Sequence, residues 1–157
     1  IHSEIYKAKE NVNSIAHAHP MYGKTFSTLG KMLDPISQDS CAFYERTAIF
    51  ADYDGVANGP DEGINIAKAL GDKEFCILQN HGILTTGSMV DTAVWYFLNM
   101  EDACKSQLLA EAVGEPKIIP HETACATRDY VANDLSAYVS FQPTIDVLWE
   151  EEPDLLD

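Results

Sequence analysis

Apolar positions change period along the chain, and each change marks an element. Ile1, Ile5 and Ala8 recur at helical spacing between charged residues, predicting a helix over 1–10. Asn11-Val12-Asn13 breaks it, and the apolar set Val12, Ile15, Ala16 and Ala18 reads as a buried strand. Pro20 ends that strand and opens a helix expected over 21–29, stopped by Gly30. Asp34-Pro35 begins an extended piece that leads into the mixed polar and aromatic stretch 38–44. A strand is expected at 48–50, a turn at 52–55, and a helix over 62–70 with Asp61 as cap and Gly71 as stop. Two further strands, 74–79 and 83–87, flank Asn80-His81-Gly82.

The longest helix is expected over 90–113, capped by Ser88 or Asp91. Its stripe comprises Ala93, Phe97, Met100, Ala103, Cys104, Leu108 and Ala112, with Trp95 and Tyr96 adding aromatic bulk. Gly114 and Pro116 end it. A short helix follows over 121–131. In the tail from Phe141 to Asp157, the apolar residues Ile145, Leu148 and Trp149 are expected to pack on the chain's own core or on a sister subunit.

At 157 residues and 46% hydrophobic, the chain suits one domain with one core. Twenty-five acidic against ten basic side chains give a formal charge of -15, which repels nucleic-acid phosphates and anionic membranes. Neither is an expected partner. Cys41, Cys76, Cys104 and Cys125 form no Cys-x-x-Cys pair, so free thiols in a reducing cytoplasm are expected. Asp52 and Asp54 lack the other ligands of a calcium loop and read as a solvated turn.

The chemistry concentrates in three histidines. His17 and His19 are two apart in a strand, so their side chains share a face, with Cα atoms about 6.6 Å apart at a rise of about 3.3 Å per residue. His81 follows another apolar strand, in a turn where Gly82 permits positive φ and close backbone approach. Neutral imidazoles suit zinc, iron, nickel or copper, and three of them leave coordination positions open for a substrate. An isolated His-x-His pair is more often a satisfied, partly buried pair than a metal site. Gln38 and Tyr44, in the polar and aromatic stretch, are candidate substrate contacts; the competing reading is a loop with an aromatic anchor. His121 reads as a surface residue outside the site.

Read together, Ile5-Tyr6-Lys7-Ala8, the stretch from Asn11 to Pro20, and Ile77-Leu78-Gln79-Asn80-His81-Gly82 resemble the class II aldolase and adducin head family over about residues 1–113. The resemblance implies a three-layer α/β/α sandwich with a central mixed, largely antiparallel sheet. It implies that His17, His19 and His81 hold a divalent metal, zinc before manganese or iron, and that a small-molecule substrate chelates it. It also implies a homotetramer or other homo-oligomer. The family's acid, usually Glu, aligns just before Ile1, with its phosphate-binding residues further upstream. The 157 residues therefore read as the back part of a longer domain plus an acidic tail. Glu4 as a replacement acid competes with a simpler place on the helix surface.

The leading expectation is a metal-dependent aldolase-type lyase that cleaves a carbon-carbon bond of a hydroxy-carbonyl substrate, sugar phosphates included, through an enolate. Decarboxylation or epimerisation on the same scaffold is a rival, and a non-catalytic, adducin-like interaction module is the contrasting reading.

Overall fold

The computed structural model describes residues 1–52, 55 and 60–156. Their elements run α1 (His2–Ala8), β1 (Ser14–Ala18), α2 (Met21–Ser27), a 3-10 turn (Ser40–Phe43), β2 (Thr47–Phe50), α3 (Pro60–Leu70), β3 (Phe75–Leu78), β4 (Gly82–Gly87), α4 (Val90–Val113), α5 (His121–Val131), α6 (Asp134–Glu151) and a second 3-10 turn (Pro153–Leu156). Four strands form one sheet in the order β1-β4-β3-β2. β4 pairs antiparallel with both β1 and β3, and β2 lies parallel to β3. The sheet is mixed and largely antiparallel, as expected.

Alternation along β3 explains the layers. Phe75 and Ile77 point to one side, into a cluster with Phe26, Phe43, Tyr96, Met100 and Cys104. Cys76 and Leu78 point to the other, into a cluster with Ile5, Phe50, Ile66 and Leu70. Helices α2, α4 and α6 cover the first face and α1 and α3 the second, a three-layer α/β/α sandwich. The Arg46 guanidinium pairs with Glu74 and lies 5.1 Å from the Phe75 ring centroid.

Several local readings shift. Among the described residues β1 is an edge strand paired with β4 alone, which leaves its Ile15, Ala16 and His17 half-buried. Helix α3 begins at Pro60, so Asp61 lies in its first turn and does not cap it. Neither Ser88 nor Asp91 caps α4: the cap is Met89, whose N–H donates to Thr92 Oγ1 at 3.2 Å. Ser88 instead donates to Asp134 at 2.6 Å, and Asp91 accepts from Gln142 at 3.0 Å.

The buried stripe of α4 is rotated toward Thr92, Tyr96 and Gln107, leaving Phe97 and Leu108 half-buried and Ala112 exposed. Gln107 is fully buried because all of its polar atoms are engaged. It accepts from the Asp34 N–H at 2.8 Å and donates to the Asp34 and Glu111 carboxylates at 2.7 and 2.8 Å. Helix α6 starts at Asp134, where Asn133 Oδ1 accepts from the Ser136 N–H at 3.0 Å, and runs through Pro143. Its Ala137 and Phe141 are buried, whereas Leu148 and Trp149 are 39% and 50% exposed, so those two do not pack on the chain's own core. The expected turn at 53–54, including the second carboxylate of the acidic pair, lies outside the described residues.

Candidate functional site

The register of β1 on β4 places Ala18 opposite Ile83, and β3 hands over to β4 through the turn that carries His81. The end of β1 and the tip of the β3–β4 hairpin are therefore neighbours. His17 is the fourth residue of β1, His19 lies just past its end, and His81 sits between β3 and β4. Their ring centroids are 5.4 Å (His17–His19), 4.9 Å (His17–His81) and 4.5 Å (His19–His81) apart. One ring nitrogen from each lies within 4.8 Å of the others. His17 and His81 are half-buried and His19 is exposed.

The backbone that aims His81 differs from the glycine-based expectation. Positive φ falls on Asn80 (58°), a residue type that tolerates the left-handed region, and not on Gly82. Gly82 is needed for space. A Cβ there would lie 2.5 Å from the Ala18 carbonyl oxygen and 3.3 Å from His19 Cδ2. Glycine thus brings the hairpin tip close to the strand that bears the other two imidazoles. Beyond Pro20, Glu101 of α4 accepts from the Tyr22 and Gly23 N–H groups at 2.8 and 2.5 Å and fixes α2 directly after His19.

Electrostatics favour neutral rings. His17 Nδ1 is 2.9 Å from the Ile83 carbonyl, which only accepts, so that nitrogen carries the proton and Nε2 carries the lone pair. Burial pushes the His17 pKa down to about 4, with the other histidines adding to the effect and the Ile83 bond opposing it. Burial also lowers His81; the neighbouring His19 adds to this, and the Glu62 carboxylate opposes it. Sequence reasoning missed Glu62. Its Oε1 is buried and makes no hydrogen bond to the described residues, yet its charge acts on His81. A carboxylate early in an amphipathic helix reads as a surface charge, so no signal marked it.

The remaining readings separate from this cluster. Gln38 lines a cavity of about 260 Å³ with Asp39, Trp95, Tyr96 and Tyr130. Tyr44 places its hydroxyl 3.2 Å from His121 Nδ1. His121 is exposed, as expected, but it joins a second group with Glu45 and Cys125. Glu4 pairs with Lys7 at 2.6 Å. All four cysteines are free thiols.

A three-layer mixed sheet with three imidazoles converging at one end defines a class: an α/β scaffold able to present a His₃ centre. The sequence pattern described as Class II Aldolase and Adducin N-terminal domain matches residues 1–108. The decarboxylase NovR of Streptomyces niveus is 37% identical over 155 residues, covering 99% of this chain and 57% of that protein. The solved structure of L-fuculose 1-phosphate aldolase from Glaciozyma antarctica PI12 superposes with a TM-score of 0.87 at 39% identity, over 98% of this chain and 58% of that one. Alpha-adducin of Rattus norvegicus is 34% identical over 122 residues, 76% of this chain and 16% of that protein. The chain belongs to the class II aldolase and adducin family, and it spans a little over half the length of the Streptomyces relatives it matches.

Proposed function

We propose that this chain carries the metal centre of a metal-dependent carbon-carbon lyase of aldolase type, with His17, His19 and His81 as ligands and zinc as the metal. The observation that carries the reading is the approach of three ring nitrogens to within 4.8 Å of one another from two separate parts of the chain. The donor set fits the ion. Imidazole suits a borderline divalent cation, three nitrogens are the protein donor count of a catalytic centre, and burial keeps His17 and His81 neutral. When bound there, a divalent cation supplies Lewis acidity toward the charge that develops on a carbonyl oxygen as the neighbouring bond breaks.

The residues do the positioning. The Ile83 carbonyl holds the Nδ1 proton of His17 and so fixes which nitrogen faces the other rings. Gly82 and Asn80 keep His81 against His19. Glu62, buried at one oxygen, supplies a carboxylate charge that opposes the lowering of His81. Gln38 and Tyr44 remain the proposed substrate contacts. A cytoplasmic homo-oligomer acting on a small molecule fits the free thiols, and no helix of the described residues is long and apolar enough to cross a membrane.

The test is metal content and turnover in parallel. His81→Ala should remove one equivalent of metal by elemental analysis and abolish turnover; unchanged metal content defeats the ligand assignment. Hydroxy-aldehydes, ketose phosphates and hydroxylated carboxylates are the substrates to screen with several divalent metals. Decarboxylation is the second reading, favoured by the name of the Streptomyces niveus relative, and released carbon dioxide in place of an aldehyde product would identify it. The absence of turnover with a full-length, metal-loaded sample would favour an interaction module, the reading that the likeness to alpha-adducin keeps in view.

A further inference from the structure

His121 and Cys125 lie four residues apart on α5, which puts both side chains on one helix face. That face meets Glu45, two residues past the Ser40–Phe43 turn. Cys125 Sγ is 3.6 Å from Glu45 Oε2 and 3.8 Å from His121 Nδ1, and His121 Nδ1 is 3.8 Å from Glu45 Oε1. Tetrahedral zinc with one sulfur at about 2.3 Å and nitrogen and oxygen at about 2.0–2.2 Å spaces its ligand atoms about 3.4–3.6 Å apart. The sulfur–nitrogen separation, and the distance of each of these atoms to one carboxylate oxygen of Glu45 (Oε2 for Cys125, Oε1 for His121), fall within a few tenths of an ångström of that spacing.

Two surrounding features hold the carboxylate in place. Arg128 Nη1 lies 3.2 Å from Glu45 Oε2, the outer-shell support that ligating carboxylates ordinarily have. Glu45 itself sits at φ 60°, a left-handed conformation that is uncommon outside glycine and turns its side chain toward α5. A water can fill the fourth direction, as at other zinc centres with three protein ligands.

The geometry points to a second, structural zinc site formed by Cys125 Sγ, a ring nitrogen of His121 and the Glu45 carboxylate, clipping α5 to the end of the 3-10 turn. It is separate from the His17–His19–His81 group and does not depend on the activity proposed for that group. Thiolate, imidazole and carboxylate together favour zinc over magnesium or calcium, which take oxygen ligands. On binding, the Cys125 thiol gives up its proton to solvent as the sulfur-metal bond forms.

Cobalt substitution separates the two sites, because only this one contains sulfur. The intact chain titrated with Co(II) should develop a near-ultraviolet sulfur-to-cobalt charge-transfer band. Cys125→Ser should abolish the band. Cys41→Ser, at a buried thiol bonded to the Ser37 carbonyl, and His17→Ala should retain it. His121→Gln and Glu45→Gln should each weaken zinc at this site, read by chelator competition, by more than the about 10–100-fold that loss of an outer-shell partner costs. Zinc should also protect Cys125 from a thiol reagent. A folded wild-type chain without the band, a band that survives Cys125→Ser, or zinc affinity unchanged in both glutamine variants would overturn the site.

Discussion

A single missing Cβ decides how closely the hairpin tip approaches β1. Gly82→Ala would force a methyl to within 2.5 Å of the Ala18 carbonyl, a backbone atom that cannot swing aside. The strands must part, at an expected cost of about 1–3 kcal/mol in urea unfolding. Metal affinity should fall with it, since the movement separates His81 from His19. His17 gives a second residue-scale prediction. Its imidazole titrates near 6.5 when unfolded and near about 4 when folded, so between those values the unfolded chain takes up the proton first. Its contribution is full above about 6.5 and is lost as pH falls toward 4. For a half-buried ring, screened by solvent, that loss is on the order of 1–2 kcal/mol. Denaturation midpoints in the presence of a chelator should show this slope, and His17→Gln should flatten it. The approach of His17 to His19 was legible in their spacing of two, although His19 lies just past the end of β1; the arrival of His81 beside them was legible through the family resemblance. The role of Glu62 was not, because charge alone does not tell burial.

Among the elements, those with strong periodicity were read correctly in kind: α2, α3, β3, β4, α4 and α5 stand close to where apolar spacing put them. The misreadings came where a polar group replaces an apolar one. Gln107 lies in the buried face of α4 because Asp34 and Glu111 satisfy its amide, a partnership between residues 73 apart that no local pattern carries. Thr92 supplies the bond at the start of α4 from inside the helix, where cap rules look one turn earlier. The edge position of β1 follows from strand order, which the alternation of one strand does not determine. Gln107→Ala should therefore behave as a core mutation. It leaves the Asp34 N–H without its partner, with an expected loss of about 2–3 kcal/mol by thermal or urea unfolding. Gln107→Glu should not rescue it, since a third carboxylate would face those of Asp34 and Glu111.

On the scale of the whole molecule, the far ends of β1 and β2 and the β3–β4 turn all gather at one end of the sheet. Among the described residues β1 reaches that end held by hydrogen bonds along one flank; it carries His17 and leads directly into His19, whereas the third imidazole comes from its neighbour's hairpin. An ion gripped by all three would fasten an otherwise one-sided strand to the interior of the sheet. Backbone amides of residues 14–18 should then exchange with deuterated solvent more slowly when metal is present, while those of β3, enclosed on both sides, hardly change. Metal loading would register there as a local tightening, even before any substrate is known.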